Sequence, residues 1–333
     1  MKRCSIVIPV YNRAALTRQC LDAILESPPE EAEPEIVVVD DGSVDSTSRL
    51  LAGYREHVRV VRHERNVGYA SACNDGVEAA SGEWLVFLNN DIIPQPGWLD
   101  ALLRYAYGRD RLGLAGAKLL FPNGRIQHAG VVFAKNRSPH HIYAGFPGVH
   151  PAVNKSREFQ AVTAACALIR RELFEEVGAF DSAFVNGYED VDFCFRLRRL
   201  GYEVHYCHES VLTHLESATR DHLSDPANFR LFLDRWSDVV YQDDFLYYVE
   251  DGLIDIAYWE QFPALLSVSP LLAVLDERAT ATERLLAERS RQVFEALKEN
   301  TRLKTELLEA EERVRSGIDE DRSSRASGAE NND

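Results

Sequence analysis

The strongest constraint on the fold is a pattern repeated through the N-terminal third of the chain: a short apolar run, a polar strand end, then helical spacing. Ser5-Ile-Val-Ile-Pro-Val10, Ile36-Val-Val-Val39 and Trp84 to Leu88 read as buried strands, and Val58 to Val61 as a further one. Between them, Ala15, Leu16, Cys20, Ala23 and Ile24 recur at helical spacing. Asp45-Ser-Thr47 caps a helix carrying Leu50 and Leu51, and Asn74 to Ala80 is helical. Strands alternating with helices predict an α/β protein with a mostly parallel sheet and helices on both faces. Ligands of such sheets bind beyond the carboxyl ends of the strands. Here those ends read Tyr11-Asn12, Asp40-Asp41 and Asn89-Asn90-Asp91, so a site is expected along that edge.

After Pro94 the pattern loosens. Residues 120–160 are rich in Gly, Pro, His and Asn and predict a long excursion of hairpins and loops. Phe159 to Ile169 is apolar again, and Arg171 to Val177 is a short helix. Gly187-Tyr-Glu-Asp-Val-Asp192 opens a helix that runs to Leu200, with Gly201 where a terminating glycine belongs. Val204 to His208 and Ser210 to His214 are expected as two short strands. Residues 221–260 are acidic, aromatic and predicted helical. They hold ten Asp or Glu against Arg230 and Arg235, a net of −8, half of the chain's −16.

From Leu275 to Val314 a 4-3 spaced series places Leu275, Leu286, Val293, Leu303 and Leu307 on one stripe, with Asn300 at an a position. That spacing predicts a coiled coil and a homodimer through residues 275–314. Arg289 and a competing stripe through Leu285, Phe294 and Leu308 fit a single long helix instead. The expected organisation is a catalytic domain over 1–220, an acidic helical extension over 221–270, a long helix or coiled coil over 271–316 and a disordered tail over 317–333.

The net charge of −16 argues against nucleic acid as a partner. Because half of it lies in 221–260, the first two-thirds can still hold an anionic ligand. The six cysteines form no C-x-x-C pair and read as buried thiols of a reducing compartment. No signal-peptide run opens the sequence, and no stretch of about 18 apolar residues occurs. Phe262 to Leu275 is too short and contains Pro263 and Pro270. A cytoplasmic protein is expected, with peripheral contact at the inner face of the cell membrane as an alternative.

Each polar signature has an ordinary structural explanation. Asp-Asp-Gly-Ser is good turn chemistry, Glu189-Asp190 suits a helix N-terminus, and His214 suits a strand end. Their joint order is harder to explain that way. No G-x-G-x-x-G follows the first strand, which excludes a nicotinamide-binding Rossmann enzyme.

Ser5 to Asn12, Val38-Val-Asp-Asp-Gly-Ser-Val-Asp-Ser-Thr47, Arg65-Asn-Val-Gly68 with Asn74 and Gly76, Phe87-Leu-Asn-Asn-Asp91 and Gly187 to Asp192 occur in that order. Together they resemble glycosyltransferase family 2, over about residues 4–216. The resemblance implies the GT-A fold and an inverting transfer of sugar from a nucleotide-diphosphate donor to an acceptor hydroxyl. Gln127-His-Ala-Gly130 and Glu189-Asp190 are similar to the bacterial branch that builds surface polysaccharides, rhamnosyltransferase-like members included.

Pro9, Tyr11, Asp41, Asn66, Gly68, Asn89 and Asn90 then fall at nucleotide-binding positions. An ionised Asp41 would accept from the ring N–H of uracil or thymine, and Tyr11 would stack on the ring. Asp91 and His214, in Leu212-Thr-His-Leu-Glu216, match positions that hold a divalent metal, Mn²⁺ or Mg²⁺. The family pattern is Asp-x-Asp, and here Asn89 replaces its first acid, which weakens the intrinsic hold on the metal. Asp190 matches the general base, with Glu189 beside it for acceptor or sugar hydroxyls. The acceptor would be a glycan, a lipid-linked glycan or a protein. The substitution at Asn89 also leaves open a non-catalytic scaffold that binds nucleotide sugars and acts through its coiled coil.

Overall fold

The computed structural model describes residues 2–215, 226–257 and 265–272, together with residues 299, 302 and 303. The predicted coiled coil and homodimer contact over 275–314 and the predicted tail from 317 otherwise lie outside the described residues. Residues Met1–Leu272 cluster as one compact unit.

The unit begins with β1 (Lys2–Val10), α1 (Ala14–Glu26), β2 (Ala32–Asp40), α2 (Thr47–Ala52), β3 (Arg59–Arg62), α3 (Tyr69–Ala79) and β4 (Trp84–Leu88). It continues through β5 (Ile92–Pro94), α4 (Trp98–Ala106) and β6 (Leu112–Leu120), then short strands β7 (Ile126–His128), β8 (Val131–Phe133), β9 (Pro139–His141) and β10 (Arg157–Glu158). Next come β11 (Cys166–Arg170), α5 (Arg171–Val177), α6 (Glu189–Arg199) and β12 (Glu203–His214). Last are α7 (Pro226–Trp236), α8 (Asp244–Glu250), β13 (Ile254–Ala257) and β14 (Leu265–Val268).

The main sheet runs β10-β12-β6-β11-β4-β1-β2-β3, with β5 paired to β12 and β7 to β6. β3, β2, β1 and β4 are mutually parallel, as the strand–helix alternation predicts. β11 enters antiparallel between β4 and β6, so the chain approaching β11 runs beside the chain leaving β4. Strands buried on both faces need apolar side chains on both. Ile6, Ile8, Val38, Val86 and Leu88 pack with Cys20, Leu21 and Ile24 of α1 and Leu99, Leu102 and Leu103 of α4. On the other face Phe87 lies 5.1 Å from Phe174 and 4.7 Å from Phe180, which is itself 5.1 Å from Phe193 of α6. Each fully buried ring contributes roughly 1.5–3 kcal/mol.

Two expectations need correction. The pair of short strands over 204–214 is one strand, β12, with a register shift between Cys207 and Val211. His208 to Ser210 are the inserted residues, and the bulge lets the strand's last residues pair with β5, His214 opposite Ile92. Among the described residues the acidic segment is helical in α7 and α8. β13 and β14 form an antiparallel pair whose short apolar runs gave no helical period. The acidic segment also packs inward. Phe232 of α7 stacks on Phe133 at 5.9 Å, and Asp251, after α8, accepts from Arg157, Lys155 and the Tyr143 hydroxyl.

Candidate active site

At the end of β1 the chain turns through Asn12 and Arg13, both in the left-handed region (φ 58° and 61°). Asn12 Oδ1 accepts from the Val44 N–H at 2.9 Å, and the Asn12 N–H donates to Ser43 Oγ at 2.7 Å, joining the exits of β1 and β2. Asp45 accepts from Thr47 N–H and from Ala14 N–H, so one carboxylate serves the first turns of both α2 and α1. Gly42 (φ +74°) has no substitute here. A Cβ on it would lie 2.5 Å from the backbone carbonyl carbon of Arg65. The Asp-Asp-Gly-Ser turn and the Arg65–Gly68 segment are therefore one construction, the second crossing directly over the first.

The two aspartates of that turn differ. Asp40 accepts from Ser43 N–H and Ser48 Oγ and pairs with Arg62, holding the turn itself. Asp41, only 4% exposed, accepts from Val67 N–H at 2.9 Å and Gly68 N–H at 3.0 Å, and its Oδ1 lies 2.8 Å from His63 Nδ1. Gly68 begins α3. Tyr11 is half exposed at the same edge, Asn66 is exposed, and Pro9 is buried within β1 opposite Val39.

At the end of β4 the Asn89 N–H donates to Ala165 O at 2.9 Å, next to the start of β11. Asn89 Oδ1 is buried and accepts from none of the described residues. Asn90 is turned toward α1, donating to Thr17 Oγ1 at 2.9 Å. Asp91 Oδ1 lies 2.9 Å from His214 Nε2, and the other ring nitrogen lies 2.7 Å from Gln127 Oε1. With Gln127 Oε1 accepting, Nδ1 carries a hydrogen and Nε2 faces Asp91. A carboxylate oxygen and an imidazole nitrogen so placed are joined by a proton or by a cation. Neighbouring ligands at about 2.1 Å from an octahedral cation sit roughly 3 Å apart, so the donor set fits a divalent metal. Among the described residues no group of three or more His, Cys, Asp or Glu gathers as a complete metal cage.

Glu189 and Asp190 open α6. Glu189, buried, accepts from Gly187 N–H at 2.6 Å. Asp190 Oδ2 accepts from Ala164 N–H at 3.1 Å, and Oδ1 from Val191 N–H at 2.8 Å. Asp192, the third acid of the motif, has no exposure and faces away. It takes Arg196 Nε at 2.8 Å, Arg235 at 3.1 Å and Trp236 Nε1 at 2.9 Å.

A chain of contacts gathers these ends. Asp41 binds Gly68; its neighbour Tyr69 donates its hydroxyl to Ala164 O at 3.0 Å; Ala164 N–H binds Asp190; Ala165 O binds Asn89. The predicted residues of β2, β4 and α6 thus share one end of the sheet, and β12 brings His214 to Asp91.

Sequence reasoning gave no role to His63. His63 bridges Asp41 and Asp75, the second at 2.9 Å. Its signal is a single polar residue inside an unremarkable run, and only the tertiary pairing marks it. All six thiols are buried and form no disulfide, and burial pushes Cys4 and Cys194 up to about 12.

Residues 5–178 match the model of the family described as Glycosyl transferase family 2. The chain is 34% identical over 224 residues to the O-antigen biosynthesis protein RfbC of Myxococcus xanthus, covering 65% of this chain and 17% of that protein. It is equally identical over 249 residues to protein y4gI of Sinorhizobium fredii, covering 70% of this chain and 27% of that one. The chain therefore spans about a quarter or less of those two relatives. An N-acetylglucosaminyl-diphospho-decaprenol L-rhamnosyltransferase of Mycobacterium tuberculosis is 26% identical over 60% of this chain and 71% of its own length. Among solved structures, GalNAc-T7 with UDP, GalNAc and Mn²⁺ superposes with a TM-score of 0.57 at 18% identity, over 72% of this chain and 49% of that one. The fold is the GT-A fold that the motifs imply.

Proposed function

The chain belongs to glycosyltransferase family 2, and from that premise we propose that it moves a sugar, with inversion, from a UDP- or dTDP-sugar to an acceptor hydroxyl. One observation carries the reading: Asp41, Asn89 and Asp190 are joined at one sheet end through Gly68, Tyr69, Ala164 and Ala165, and Asp91, two residues beyond Asn89, meets His214. The names of relatives in O-antigen biosynthesis and in rhamnose transfer to a lipid-linked sugar support a surface glycan or lipid-linked glycan as acceptor.

Asp41, held rigid by the Val67 and Gly68 amides, keeps lone pairs for the base N–H, and Tyr11 offers a ring face. Asn89 Oδ1 accepts a ribose hydroxyl. Asp91 and His214 hold a divalent metal, which when bound offsets the charge on the departing diphosphate. Asp190 takes the proton from the acceptor hydroxyl as it attacks the anomeric carbon, a contribution of roughly 10²–10⁴-fold. Glu189, buried beside it, orients acceptor or sugar hydroxyls. Transfer in one displacement needs no enzyme nucleophile.

A panel of nucleotide sugars tests this by thermal shift and by nucleoside diphosphate release, with Mn²⁺, Mg²⁺ or EDTA. A UDP- or dTDP-sugar should raise Tm and be turned over in a metal-dependent manner. Asp190→Asn should fold and bind that donor as the wild type does while losing transfer by about 10²-fold or more. Full turnover by this variant removes Asp190 as base. Binding without release across donors and acceptors would favour the scaffold that Asn89 leaves open.

A further inference from the structure

We propose that Asn228 is a positioning residue that fastens the loop ahead of α6 and so sets where Asp190 stands. The proposal rests on the reading of Asp190 as base.

Residues 186–188 all have positive φ: Asn186 at 54°, Gly187 at 151° and Tyr188 at 73°. For Tyr188 this backbone region is unfavourable, and three such residues in a row do not hold themselves. A Cβ on Gly187 would meet only Asn228 Nδ2, at 4.0 Å, so the glycine answers to its φ and not to lack of space. What holds the loop comes largely from α7. Asn228, 4% exposed, accepts from Val185 N–H at 3.3 Å and donates Nδ2 to Val185 O at 2.9 Å and to Gly187 O at 3.0 Å. One amide side chain therefore serves both ends of the turn. The Tyr188 ring lies 6.2 Å from Phe229 and 5.6 Å from Phe232, both also on α7. On its other side the loop reaches α3, where Asn186 Oδ1 accepts from Tyr69 N–H at 3.4 Å.

The next residues are Glu189 and Asp190. A loop that relaxed from this conformation would turn the first residues of α6 and lengthen the Asp190–Ala164 bond. General-base catalysis is sensitive to such a shift: a misplacement of about 1 Å can cost on the order of 10²-fold. Nucleotide binding is assigned to Asp41 and Asn89 on other elements, and the loop's bond toward them, from the Tyr69 N–H to Asn186 Oδ1, is not made by Asn228.

α7 is tied down a second time, where Trp236 Nε1 and Arg235 bind Asp192. That gives a control on the same helix that does not touch the loop. The test compares Asn228→Asp, which loses both Nδ2 donations, with Trp236→Phe, which loses the bond to Asp192, in the full chain. Hydrogen exchange is read at amides 185–191 and in β4, UDP affinity by calorimetry, and kcat with the fastest donor of the panel.

For Asn228→Asp the expected result is exchange at 185–191 at least tenfold faster, β4 unchanged, UDP affinity within threefold, and kcat down by about 10²-fold with KM for donor little changed. For Trp236→Phe the expected kcat is within threefold of the wild type at comparable loss of Tm. Equal kcat losses in both variants, tracking Tm, would overturn the proposal, as would wild-type kcat in Asn228→Asp. If Asp190→Asn keeps full turnover, the base reading fails instead, and faster loop exchange in Asn228→Asp would then report only on the fold.

Discussion

Adjacent aspartates at the end of β2 differ because their oxygens face different partners. Asp40 is spent on Ser43, Ser48 and Arg62 within its own turn, while Asp41 organises the amides at the start of α3. The sequence places both at a strand end, and only the fold separates them. Asp243 had no motif to announce it, yet it is the carboxylate whose behaviour can be given a pH window. It is 2% exposed, and burial lifts it to about 6 although Oδ1 accepts from the Phe133 N–H at 2.8 Å. A carboxyl raised in the fold binds its proton more tightly there than in the unfolded chain, ordinarily near 3.9. Its favourable contribution is therefore present below that value and lost as pH rises through about 6. Asp243→Asn keeps an acceptor for Phe133 without the charge. It should raise stability by about 1–3 kcal/mol at pH 8 and by little at pH 4, read as Tm by calorimetry. An equal shift at both values would contradict the window.

Among elements, the decisive ones for the site are those whose shape the local sequence did not announce. The bulge in β12 carries His214 to Asp91, and nothing in Val204 to His214 marks which residues the register skips. The loop before α6 is the other case. Gly187 was legible as the start of a motif, but its φ of 151° and its seat under Asn228 were not. Gly187→Ala meets open space yet a poor backbone region, so it should cost about 1–3 kcal/mol in chemical denaturation and lower transfer. Unchanged stability would mean that the loop relaxes without penalty. α8 is fastened through Asp251. Burial works against its charge, but bonds from Arg157, Lys155 and Tyr143 outweigh that and hold its carboxyl below the usual range. Within the acidic segment, Asp251 attaches the end of α8 to Arg157 of β10, while α7 is attached by Arg235, which binds Asp192 of α6.

For the molecule as a whole, residues Met1–Leu272 cluster as one compact unit holding every residue assigned to the site. A protein ending at residue 272 should bind UDP within threefold of the full chain by calorimetry. If residues 275–314 join two copies, light scattering will give the full chain twice its formula mass and the shorter protein only its own; a monomeric full chain would end the coiled-coil reading. Among the described residues no helix is long and apolar enough to cross a membrane. The sequence by itself determined the layers and the edge of the site. Strand and helix periods are local properties, and polar residues at strand exits mark the carboxyl edge wherever the strands are later placed. Only the tertiary structure decided which acid faces which partner: that β11 runs antiparallel beside the Asn89–Asp91 turn, that β12 skips three residues to reach it, and that α7 holds the loop of Asp190. Those are pairings between segments distant in the chain, settled by how sheet and helices bury their faces, and no spacing within one segment encodes them.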